Sequence, residues 1–111
     1  MLRIYIEQFL HYCQVSNFTA KSIEAFRVRL EQFHQYCQTV AVGSVSEIGY
    51  QQLSDFVADF QTPSVHVKKS RVWALHQFYH FLKLNHMGAA LLRPHITQPF
   101  YKRFGHRMDN F

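Results

Sequence analysis

Four glycines and three prolines in 111 residues leave this chain few places to break a helix. Beside a 48 % apolar content, that scarcity argues against both a disordered chain and an all-β one. Cys13 and Cys37 are the only cysteines, so a disulfide framework is excluded. Both fall on apolar helical stripes, where reduced and buried thiols are expected. No apolar run approaches the length of a membrane span, and no membrane partner is expected. Arg3, Glu7 and Gln8 interrupt the apolar residues near the N-terminus, unlike a signal peptide. The expectation is a cytoplasmic protein. There is no glycine-rich phosphate loop and no pair of carboxylates in an apolar setting, so neither an enzyme nor a cofactor is expected from this chain. His11, Cys13, His34 and Cys37 lack the close cysteine spacing of structural zinc sites. His76 and His80 lack the intervening glutamate of a zinc-protease helix. No metal is expected at either set.

What is present is helical periodicity. Leu2, Ile6, Phe9 and Cys13 lie on one stripe of a first helix over residues 2–13, with Tyr5 and Tyr12 beside it. Ser16 and Asn17 interrupt the pattern. Thr19 is a good N-cap for a second helix, and Phe18 is placed to pack on Ile23 as a hydrophobic staple. Ile23, Phe26, Leu30, Phe33 and Cys37 then recur at alternating steps of three and four. Residues 39–49 are β-branched, but a lone strand has nothing to pair with, so a loop is expected. Ile48 and Leu53 form a second staple around Gly49, and Leu53, Phe56, Val57 and Phe60 mark a third helix. Gln61, Thr62 and Pro63 stop it, and Ser64 caps a fourth. That fourth helix, over residues 64–85, carries Val72, Leu75, Phe78, Tyr79 and Leu82 on one face, and the other elements are expected to be arranged around it. Trp73 lies off that face, half-buried. His86, Met87 and Gly88 suit a C-cap, Ala89 to Leu92 a short helical turn, and the remainder an extended or poorly ordered tail.

The net charge of +5 is distributed unevenly. The first helix is neutral, with Arg3 and Glu7; the second is +1 and the third −3 from Glu47, Asp55 and Asp59. Lys68, Lys69, Arg71 and Lys83 bring the fourth to +4, with no acidic residue, and the tail contributes +3. Cations at a helix start are unfavourable, because that end already carries partial positive charge. Lys21 in the second helix, and His66, Lys68, Lys69 and Arg71 in the fourth, stand at or near such starts. An anion that comes to the protein explains them, and phosphate is the usual one. The asymmetry suggests one face for a polyanion, with the third helix turned away from it.

Four segments carry a resemblance to a known family. Thr19-x-x-Ser22-Ile23-x-x-Phe26-x-x-x-Leu30-x-x-Phe33 resembles the helix-opening signature of the core-binding domain of tyrosine recombinases, the phage-integrase and Xer group. The usual form there is Ser-x-x-Thr-aliphatic-x-x-Tyr-x-x-x-Leu-x-x-Phe. Val45-Ser46-Glu47-Ile48 followed by Leu53-x-x-Phe56-Val57 looks like that domain's third helix. Ser70-Arg71-Val72-Trp73-Ala74-Leu75-His76-Gln77-Phe78-Tyr79-x-Phe81-Leu82 is similar to its fourth, typically Arg-Arg-Leu-Ser-Ala-Leu-Arg-Ser-Phe-Tyr-x-Phe-Leu. The four occur in the family's order and spacing over roughly residues 4–92.

The resemblance implies an all-α fold: a four-helix, SAM-like orthogonal bundle over residues 1–92, with residues 93–111 as a basic linker or tail toward a separate catalytic domain. It implies a domain that clamps one face of double-stranded DNA at a recombination half-site through its second and fourth helices. Carried over by position, the DNA contacts are Thr19, Lys21 and Ser22 on the second helix and His66, Lys69, Ser70 and Arg71 on the fourth. The positively charged starts of the two helices are expected side by side on one surface. Ser70 and His76 stand where the family usually has Arg, and Glu24 lies near the implied DNA face. The family's catalytic Arg, His-x-x-Arg and Tyr set has no counterpart here, since His106 is followed by Asp109 where Arg is needed. The chain is therefore expected to be either a fragment cut at the interdomain linker or a stand-alone relative, unable to cleave DNA in either case, and in the intact protein the further partners are the catalytic domain and neighbouring protomers. The alternative is a helical protein-interaction module, without specific DNA binding, that docks through a Phe- and Tyr-rich surface.

Overall fold

The computed structural model describes residues 2–84. It is all-α: α1 (Leu2–Val15), α2 (Ala20–Thr39), α3 (Tyr50–Ala58) and α4 (Val65–Leu84), with a single 3-10 turn (Val45–Glu47) ahead of α3 and no strand among the described residues. The expected C-cap after residue 85, the short turn at 89–92 and the basic tail lie outside the described residues.

Each helix end has a local cause. The α1 helix runs two residues beyond the expected Cys13 and stops where Asn17 turns left-handed at φ 65°. There Phe18 N–H donates to Cys13 O at 3.0 Å and Asn17 N–H to Gln14 O at 3.3 Å, which satisfies carbonyls the helix leaves open. Thr19 then caps α2 as expected, its Oγ1 accepting from Ser22 N–H at 3.1 Å. The far end of α2 repeats the closing motif, with Val42 N–H on Cys37 O and Ala41 N–H on Gln38 O. Here the left-handed residue is Ala41, at φ 58°. Thr39, expected in the loop, ends α2, and residues 40–49 form the loop around the 3-10 turn, pinned by Glu47 Oε1, which accepts from the Gly43 and Ser44 N–H groups. The α3 helix is shorter than its apolar stripe: Phe60 falls in the turn after it. Gln61 and Thr62 are both left-handed, and Ser64 Oγ accepts from Val67 N–H at 3.2 Å to cap α4.

The apolar stripes meet in one core. Phe9 of α1 lies at its centre, with ring centroids 5.4 Å from Phe26, 5.7 Å from Phe78 and 5.6 Å from Phe81. Phe33 and Phe56 join α2 to α3 at 5.1 Å. Val45 and Ile48, the β-branched residues that suggested a strand, are plugs from the loop and are fully buried. The α4 helix packs on each of the other three helices. Accordingly Ala74 and Phe81 are buried beside the expected Val72, Leu75, Phe78, Tyr79 and Leu82.

Candidate nucleic-acid interface

Three contacts fix how α2 passes α4. Phe26 stacks on Trp73 with centroids 4.4 Å apart. One turn on, Arg29 Nε donates to Ser70 Oγ at 2.9 Å. Farther still, Gln32 Oε1 accepts from Arg71 Nε at 3.3 Å. Between the first two contacts residue numbers rise from Phe26 to Arg29 along α2 while they fall from Trp73 to Ser70 along α4, so the helices run in opposite directions. The start of α4 therefore lies beside the middle of α2. At 1.5 Å per residue, Lys21 stands about 12 Å along the α2 axis from Arg29. The expectation that the two helix starts sit side by side is corrected on this point.

A line of polar residues, interrupted at Ala25, nonetheless runs between them. Ser22 and Arg29 are seven residues apart, two turns, and so share a face of α2. Arg29 bonds Ser70, and His66 is one turn before Ser70 on α4. Thr19, Lys21, His66 and Lys69 are exposed, and Ser22, Lys68 and Ser70 are half-buried. The Thr19 hydroxyl is engaged at the cap and donates to Ser22 Oγ at 3.0 Å, which leaves the Ser22 hydroxyl its own hydrogen to donate. Neither helix has an acidic residue in its first turn. Trp73 is half-buried on Phe26, as its place off the apolar face predicts.

Arg71 does not belong to this surface. It is 2 % exposed, with its Nη1 donating to Phe56 O at 2.8 Å and Phe60 O at 2.9 Å. Its guanidinium lies 4.5 Å from the centroid of Phe56 and 5.8 Å from that of Phe60. The expected DNA contact is a buried clamp on the end of α3, because those carbonyls have no partners in the helix beyond it. Burial, then repulsion from Arg29, lowers the proton affinity of Arg71.

Glu24 stands one turn after Lys21 on α2. It pairs with Arg27 at 3.6 Å and lines an open groove between α1 and α2, about 500 Å³ in volume, around the helix from the Ser22–Arg29 face. Arg3 bonds Glu31 there at 2.7 Å, which raises the proton affinity of Arg3 and lowers that of Glu31. Glu7, Glu24 and Glu31 outnumber Arg3 and Arg27 in the groove, so it does not attract a polyanion. The seam between α2 and α4 does.

Arg29 and Gln32 were the residues that sequence reasoning missed. The signal was the seven-residue step from Ser22, which places Arg29 on the same line as the expected contacts. Among the described residues, no group of three or more His, Cys, Asp or Glu side chains can hold a metal ion. Burial raises the Cys13 thiol to about 11 and the Cys37 thiol to about 12, which suits core residues. No described helix is long and apolar enough to cross a membrane. Of the Phe and Tyr residues on which the protein-interaction alternative relies, Phe9, Phe26, Phe33, Phe56, Phe78 and Phe81 are buried, whereas Tyr5, Tyr12, Phe18, Tyr50 and Phe60 are partly exposed. Compared with known proteins, the chain matches no family model, no curated protein and no solved structure.

Proposed function

We propose that this chain is a DNA-binding module of the kind found as the core-binding, SAM-like domain of tyrosine recombinases, clamping duplex DNA at a recombination half-site. The observation that carries the reading is the Arg29–Ser70 bond, which stitches the polar faces of α2 and α4 into one line flanked by exposed Lys21, His66 and Lys69. Lys21 and Lys69 contact phosphates, and Thr19, Ser22 and His66 supply small polar groups to phosphates or base edges. On this reading the chain works in the cytoplasm beside a catalytic domain that cuts the strands, and neighbouring protomers hold the other half-sites.

Titration of the full chain with a labelled duplex at several salt concentrations tests this. Wild type should bind at low salt and weaken linearly in log–log form. Lys21→Ala with Lys69→Ala should flatten that slope by about two. Absence of binding at low salt, or an unchanged slope in the double variant, overturns the assignment. Binding that depends only on residues 94–111 would overturn it as well.

A further inference from the structure

Two guanidinium groups meet beneath the α2–α4 seam and share one neutral oxygen. Gln32 Oε1 accepts from Arg29 Nη1 at 3.4 Å and from Arg71 Nε at 3.3 Å, both long for charge-assisted bonds. The ion pairs among the described residues are Arg3–Glu31 and Arg27–Glu24, so no described carboxylate offsets either cation of the seam. Arg71 is committed inward to Phe56 O and Phe60 O. Arg29 is half-buried, is held by Ser70 and Gln32, and its Nη2 donates to no described residue. Ser70 Oγ accepts from Arg29 and retains its own hydrogen to donate.

We propose that Arg29 and Ser70 form a phosphate site in the seam, with Arg71 as the positioning residue behind them. This rests on the duplex reading above and adds to it a specific anchor: one backbone phosphodiester seated on Arg29 Nη2 and the Ser70 hydroxyl. A fixed, planar guanidinium suits that task better than a mobile lysine, because two of its N–H groups can face two phosphate oxygens. The anion also relieves the repulsion between the two arginines. A phosphate contact of this kind sets the position of the protein on the duplex and reads no sequence.

Two measurements on the full chain separate this site from the duplex reading. In the first, inorganic phosphate is added at constant ionic strength against chloride, and the Arg29 Nε–H resonance is followed by NMR. A saturable shift with phosphate and none with chloride is expected; no shift overturns the site. In the second, duplex affinity is compared between wild type and Arg29→Gln, which keeps a neutral donor toward Ser70. The variant should bind roughly tenfold more weakly near 0.1 M salt and lose about one unit of salt slope, and Arg29→Lys should recover the slope. If wild type binds duplex and Arg29→Gln matches it in both affinity and slope, the inference fails while the duplex reading stands. If phosphate moves the Arg29 resonance but wild type binds no duplex, the duplex reading fails and the site takes free phosphate. Should Arg29→Gln not fold, the phosphate titration of wild type decides alone.

Discussion

Arg71 holds a charge in the protein interior without a carboxylate beside it, and survives there through two carbonyl oxygens, one amide oxygen and two aromatic rings. Replacing it by Met of similar length keeps the packing but leaves Phe56 O and Phe60 O unpaired. Each buried, unsatisfied acceptor costs about 1–3 kcal/mol, offset in part by losing the repulsion from Arg29. Arg71→Met should therefore lower unfolding stability by about 2 kcal/mol in urea denaturation, and Arg71→Lys should not restore it, since a point charge cannot reproduce the fork. The burial of this residue was legible in one respect. Arg71, Leu75, Phe78 and Leu82 follow at steps of four, three and four, which places Arg71 on the apolar face. Its charge, in a run with Lys68 and Lys69, pointed the other way. Periodicity was the better guide, because the end of α3 supplies carbonyl groups that no pattern within α4 can reveal.

Among the helices, beginnings were easier to read than endings or crossings. Thr19 and Ser64 announce their caps by side-chain chemistry, and Asn17 announces a left-handed stop. Ala41 performs the same stop with no chemical mark of it. A left-handed alanine is strained by its Cβ, by about 1–2 kcal/mol before the greater freedom of unfolded glycine is counted. Ala41→Gly should accordingly raise stability by about 0.5–1 kcal/mol, measured as an increase in the urea midpoint with unchanged m. The direction in which α2 passes α4 was illegible for a different reason. Both helices have a well-formed apolar face, and either mutual direction would bury it. Only the particular fit of Phe26 on Trp73 and of Arg29 on Ser70 selects one.

At the scale of the whole molecule, the four helices and most core residues followed from spacing alone, because one buried face per helix is all that such a bundle requires. The two cysteines offer a probe of how that core behaves as a unit. Cys13 lies on α1 and Cys37 near the end of α2, both buried, with thiols raised to about 11 and about 12. At pH 8 the native thiolate fraction falls to roughly one in a thousand or less. Labelling by a thiol reagent should proceed only through opening of the core, at one common rate for both residues, and that rate should rise with urea as global unfolding does. Rapid native labelling of either cysteine would mean that its part of the core opens alone.

The central place of α4 sets a timetable for biosynthesis. It is the last described helix in the chain, yet its Phe78 and Phe81 close over Phe9, which is made well before them. At about 5–20 residues per second, the ribosome needs on the order of one to four seconds to add those twenty residues. Until α4 is made, the apolar faces of the three earlier helices lack the element that covers them all.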